Sequence, residues 1–158
     1  MIIKNYIAGQ FVTGTSSFSN INPVDGKLVA EVSEATESLV DQAVVAARNA
    51  LKGEWGQMPV NARSDLLHAV ADGIQLRFDD FVEAEIADTG KPLEQARSMD
   101  IPRGAANFKV FADLVRTAGS ECFETSTPDG DALNYSVNKP LGVVGVIAPW
   151  NLPLLLLT

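Results

Sequence analysis

The residues best placed to do chemistry in this sequence are Ile147-Ala148-Pro149-Trp150-Asn151-Leu152-Pro153. They follow Gly142-Val143-Val144-Gly145-Val146-Ile147, an apolar run of the kind that forms strands buried on both faces of a parallel sheet. Loops at the carboxyl ends of such strands are where α/β proteins bind ligands. Pro149 and Pro153 stiffen the loop. Asn151 carries an amide that can donate to an oxygen gaining negative charge during a reaction. The same residues also suit a rigid core loop whose asparagine bonds its own backbone. The residue types alone leave both readings open.

Arg103 is a second candidate. Helical residues advance by roughly 100° each, so Lys109, Asp113 and Arg116 share one stripe, the expected solvent face. Ile101, Ala105, Phe108, Ala112 and Val115 form an apolar face. Arg103 belongs to neither and projects with Ala106, Asn107, Val110 and Leu114. Partial burial is therefore expected, and a buried guanidinium needs an anionic partner. A substrate carboxylate held by a bidentate pair is one such partner. An internal Asp or Glu is the other.

Other chemically able side chains point to structure instead. Cys122 is the one cysteine. Reactive thiols sit in electropositive surroundings, whereas Glu121 and Glu124 flank this one, so it reads as structural. His68 has no partner at metal-ligand spacing and reads as a packed or surface histidine. Trp55 is expected in the core.

Several elements must position the loop. Tyr6 to Val12 reads as a hairpin turning at Ala8-Gly9, with short strands at Phe18–Ile21 and Leu28–Val32 and a turn at Asn22-Pro23-Val24-Asp25-Gly26. Ser33 or Thr36 caps a helix to about Lys52, whose apolar residues fall at Leu39, Val40, Ala43, Val44, Ala47, Ala50 and Leu51. Pro59 opens a second helix burying Leu66, Leu67, Val70 and Ile74. A third runs from Phe78 to Thr89-Gly90. After Pro92 a long helical stretch reaches about Ala118. Asn134 to Asn138 alternates like a half-exposed strand. The fold class is thus α/β: short β-hairpins, helices, then the start of a Rossmann-like parallel sheet.

Composition excludes some functions. The formal net charge is −8 with no clustered Lys and Arg, a field that repels nucleic acid and anionic lipid. Leu141 to Thr158 carries no charge, but its glycines, prolines and Asn151 argue against a membrane span. A lone thiol and the absence of a signal-like N-terminus fit a cytoplasmic protein. The sequence stops within Leu154-Leu155-Leu156-Leu157-Thr158, so the chain is expected to be a fragment.

The run from Gly142 to Pro153 resembles the strand and loop of the aldehyde dehydrogenase superfamily. Tyr6-Ile7-Ala8-Gly9-Gln10-Phe11-Val12, Ile21-Asn22-Pro23-Val24-Asp25-Gly26, Asp88-Thr89-Gly90-Lys91-Pro92 and Pro140-Leu141-Gly142-Val143 resemble the family in the same chain order. The resemblance implies oxidation of an aldehyde to an acid by a cysteine thiolate, a glutamate base and NAD, with NADP not excluded. It implies that Asn151 holds the oxyanion and that Ile147, Ala148, Pro149 and Trp150 line the cofactor pocket. It also implies that a monovalent cation binds at Asn20, Ile21 and Asp88; Asp88 bonding the backbone near Gly90 is the alternative. Residues 1–123 then belong to the NAD-binding domain. Residues 124–141, including Lys139, form strands that make a homodimer or homotetramer, and residues 142–158 are the first Rossmann strand and its loop. The nucleophile and base of the family lie beyond residue 158, and Cys122 does not match the nucleophile, so this chain alone is expected to be inactive.

Asp100 to Asp113 and Asp129 to Tyr135 are similar to the muconic-type semialdehyde dehydrogenases of aromatic-compound breakdown. A carboxylate-bearing aldehyde is therefore the implied substrate. Another aldehyde dehydrogenase, such as a betaine aldehyde type, or an inactive truncated product remain the alternatives.

Overall fold

A computed structural model describes residues 1–158. The chain begins with β1 (Ile2–Ile3), β2 (Asn5–Ile7), β3 (Gln10–Val12), β4 (Ser17–Ile21) and β5 (Leu28–Ser33). Strands β2 and β3 form the expected antiparallel hairpin. Ala8 and Gly9 both take positive φ at its tip, which matches the right-handed twist of the two strands. β5 lies between β1, parallel to it, and β4, antiparallel to it, with a bulge between Asn20 and Ile21.

Helices follow: α1 (Glu37–Ala50), α2 (Glu54–Gln57), α3 (Val60–Leu76), α4 (Phe78–Thr89), α5 (Leu93–Gln95) and α6 (Ile101–Thr117). Thr36, not Ser33, caps α1: its Oγ1 accepts from the Leu39 amide at 3.3 Å. Gly90 ends α4 in the left-handed conformation, φ 70°. A β-carbon there would also lie 2.8 Å from Pro23 Cγ, so this turn needs glycine twice over. A π-helical turn, Ala96–Asp100, joins α5 to α6. It adds a residue to the helical register and leaves Asp100 fully buried at the start of α6.

The core is Ile74, Val82, Ala96, Ile101 and Ala105, flanked by Phe78, Phe81, Ile86, Phe108 and Leu154. Small residues let α3 and α6 approach closely: Ala71, Ala112 and Ser64 are fully buried, and Ser64 Oγ donates to the Ala112 carbonyl at 2.7 Å. Lys109, Asp113 and Arg116 face solvent, as the helix geometry predicts, with 44%, 69% and 36% of their side chains exposed. They pair with Asp72, His68 and Asp65 across the antiparallel α3. Their reversed order along the two helices places one polar side-chain pair at nearly every turn. The Lys109 ammonium holds the Asp72 carboxyl below its ordinary range, chiefly by hydrogen bonding.

Other expectations fail where no element covers the apolar face. Leu66, Val70 and Trp55 are exposed rather than core, and no residue of α1 is buried. Gly142 to Ile147 forms no strand. A parallel strand needs neighbours reached by long crossovers, and no such strand lies beside it in this chain. The later ribbon is β6 (Cys122–Thr127) against β7 (Gly130–Tyr135), so the alternation read at Asn134 to Asn138 marks only the end of a strand. No helix is long and apolar enough to cross a membrane.

Only 14 of the 158 residues are buried, so most apolar side chains gain little from folding in isolation. The isolated chain is expected to melt without a sharp transition and to bind a dye specific for exposed apolar surface. A cooperative monomer melt without dye binding would contradict this.

Candidate active-site loop

Asn151 lies in a turn after the irregular stretch 137–149. Its side chain is exposed and makes no hydrogen bond within the chain, so the self-bonded core loop is not what forms. What is held is its backbone. Lys91 Nζ donates to the Asn151 carbonyl at 3.0 Å. The same ammonium donates to Glu85 Oε1 and Asp100 Oδ2, each at 2.6 Å. All three side chains are buried: 8% of the Lys91 side chain is exposed, 3% of Glu85 and none of Asp100.

Local sequence explains the convergence. Glu85 sits one turn after Val82 on the core-facing side of α4. The left-handed turn at Gly90 throws Lys91 back over that helix, and the π turn delivers Asp100. Thr89 Oγ1 donates to the Glu85 carbonyl at 2.6 Å and ties the turn down.

The rest of the segment docks on α6. Leu154 packs where a β-carbon of Gly104 would stand, 2.8 Å from the ideal position. Asn107 Nδ2 donates to Thr158 Oγ1 at 3.2 Å. Leu156 N–H bonds the Leu152 carbonyl at 3.0 Å, beginning a helical turn.

Burial alone would drive the Lys91 ammonium towards neutrality. Its hydrogen bonds to Asp100 and Glu85, with their charges, outweigh that and raise its pKa above 10.5. A raised folded-state value means that Lys91 contributes its full stability below the unfolded pKa and loses it as pH climbs through the folded one. Lys91→Met leaves two buried carboxylates without their cation, which costs about 3–5 kcal/mol. In the full-length protein that loss should hold from neutral pH up to 10.5 and shrink above it, as read by denaturant melts along a pH series. A gap that closes below pH 10.5 would refute the assignment.

Ile147, Pro149 and Trp150 are exposed and Ala148 is half-buried. They form one exposed, largely apolar strip leading into Asn151.

Arg103 departs from expectation. It is exposed, not partly buried, because the α6 face it shares with Ala106, Val110 and Leu114 carries no covering element. Its guanidinium pairs with no carboxylate of residues 1–158, so the internal salt bridge does not form within them. It directly precedes Gly104, the seat of Leu154.

Asn20 and Asp88 do meet: Asn20 Nδ2 donates to Asp88 Oδ1 at 2.7 Å, so Asp88 does not bond the backbone near Gly90. Both line a cavity of about 460 Å³ that also touches Glu85, Pro153 and Leu154. Ile21 follows at the bulge and is exposed. No three His, Cys, Asp or Glu side chains cluster to hold a metal ion. A cation here would rest on the second Asp88 oxygen and on backbone carbonyls. Cys122 is exposed on β6.

The family model described as the aldehyde dehydrogenase family matches residues 11–158. The chain belongs to this family. A 2-hydroxymuconic semialdehyde dehydrogenase of a Pseudomonas species is 58% identical over 99% of the chain and 33% of that protein. A 2-aminomuconic 6-semialdehyde dehydrogenase, also of a Pseudomonas species, is 51% identical over 98% of the chain and 32% of that protein. The chain thus spans about a third of the length of the curated aldehyde dehydrogenases it matches. Among solved structures, an NAD+ complex of the Bacillus cereus aldehyde dehydrogenase superposes with TM-score 0.91 at 35% identity, covering 98% of this chain and 32% of that one.

Sequence reasoning missed the Lys91 cluster, although Asp88 to Pro92 stood out as a motif. The available signal was Glu85, an ionisable residue at a core position of an amphipathic helix.

Proposed function

We propose that the full-length protein containing this segment oxidises a muconic-type semialdehyde to its acid with NAD. The observation that carries this is Arg103. In a chain of net charge −8, a guanidinium free of internal partners adjoins the seat of the Asn151 loop. An anionic substrate suits it. The names of the similar Pseudomonas proteins support the same substrate class. A cationic substrate of the betaine aldehyde kind would be repelled there.

NAD, when bound, supplies the hydride acceptor. Ile147, Ala148, Pro149 and Trp150 would hold it, and the Asn151 amide would donate to the aldehyde oxygen as charge develops on it. Asp88, with the backbone carbonyls of Asn20 and Ile21, would take a monovalent cation, which hard oxygen donors suit. The ribbon β6–β7, exposed almost throughout, would join copies into a homodimer or homotetramer in the cytoplasm.

The direct test is NADH formation from 2-hydroxymuconic and 2-aminomuconic semialdehydes by the full-length protein, with betaine aldehyde as the contrast. Faster use of betaine aldehyde would overturn the proposal. The 158-residue chain alone should form no NADH, because its one thiol is exposed on an open ribbon and hydrogen-bonds to no general base. NADH formation that depends on Cys122 would overturn that expectation.

A further inference from the structure

We infer that Lys91 is a positioning residue for Asn151, acting through the backbone carbonyl and held in place by Glu85 and Asp100. This rests on the preceding proposal in that Asn151 is taken as the oxyanion donor.

The geometry carries it. Asn151 has a free side chain and a fixed main chain. An amide useful in catalysis must hold its direction within a fraction of an ångström, and a free side chain inherits its precision from the backbone beneath it. That backbone has one side-chain tie close by, the 3.0 Å bond from Lys91. The next ties, Leu154 on Gly104 and Asn107 to Thr158, lie three or more residues further along. Without Lys91 the segment remains docked on α6 while Asn151 is released.

The cluster is built to keep the ammonium fixed. A lysine has a long, flexible stem. Two carboxylates from separate elements, α4 and the π turn, hold Nζ at 2.6 Å each and leave its third proton for the Asn151 carbonyl. Two anions surround one cation, and Asp100 Oδ1 is buried with no hydrogen-bond partner. A purely structural ion pair has no need of this excess charge, which is costly to bury. Here it keeps Lys91 protonated and aimed.

Lys91→Met strands both carboxylates and endangers folding. The decisive variant therefore replaces the whole cluster with apolar residues of similar shape: Lys91→Met, Glu85→Met and Asp100→Leu. Buried charge clusters exchanged in this way are often neutral for stability. In the full-length protein this triple variant should lose tenfold or more in kcat, with KM for NAD within about twofold of the parent. In an Asn151→Ala background it should cause almost no further loss, because residues acting as one unit are not additive. Amide exchange at residues 150–152 should quicken by tenfold or more, while residues 154–158, still docked on α6, should keep theirs. An unchanged kcat, or an equal loss with and without Asn151, overturns the inference. If the parent oxidises none of the aldehydes, the proposed function fails, and amide exchange still decides: quickening at residues 150–152 supports the tie, and unchanged exchange there overturns it.

Discussion

Asn151→Ala in the full-length protein should lower kcat by about 10²–10³, equivalent to about 2.7–4 kcal/mol of transition-state stabilisation. The carbonyl oxygen of a bound aldehyde carries only partial charge. It becomes an alkoxide when the nucleophile adds, and a donor aimed at that position gains strength as the charge grows. Binding of substrate and cofactor in the ground state should therefore change little. The structure supports this division of labour: the Asn151 carbonyl is bound to Lys91, whereas the side chain is exposed and unbonded. Removing an exposed, unbonded amide costs the fold almost nothing, generally within ±0.5 kcal/mol or so. Steady-state kinetics and a thermal melt of the same variant check both halves. A lower melting temperature with unchanged kcat would make Asn151 a structural residue of the loop.

The sequence revealed elements through local rules and lost them where partners were required. The Ala8-Gly9 turn, the Thr36 cap and the stop at Gly90 depend on residues within a few positions, and each forms where it was read. The apolar face of α6 holds in part: Ile101, Ala105 and Ala112 are buried and Phe108 is half-buried, but Val115 at the far end is exposed. Periodicity assigns a residue to a face but does not say what covers that face. Lys109, Asp113 and Arg116 do form a solvent-facing stripe, but periodicity gave no sign of their partners Asp72, His68 and Asp65 on α3. Val143 to Ile147 has a strand's composition, yet a strand exists only by pairing. The Lys91 cluster lay furthest from view. It joins α4, a left-handed turn, a π turn and a loop 60 residues away, and no pattern confined to one element reports such a meeting.

Arg103→Ala in the full-length protein should raise KM for a muconic semialdehyde by roughly tenfold to a hundredfold. Hydrogen bonds to charged groups are worth about 1.5–3 kcal/mol, and a guanidinium grips a carboxylate with two of them. The structure makes this a clean experiment. Arg103 pairs with no carboxylate of the chain and is exposed, so its removal leaves no buried anion behind, and thermal stability should barely move. An aldehyde of similar length lacking the distant carboxylate should be used equally by both forms. Arg103→Lys should recover only part of the loss, because a point charge lacks the planar fork. High salt should weaken the parent's discrimination between the two aldehydes, since Arg103 is exposed and charges in open solvent are screened. Equal losses for both aldehydes would show that Arg103 shapes the protein rather than reads the carboxylate. The muconic assignment would then stand on similarity alone, while the Asn151 donor and its Lys91 tie, which do not depend on which aldehyde is bound, would be unaffected.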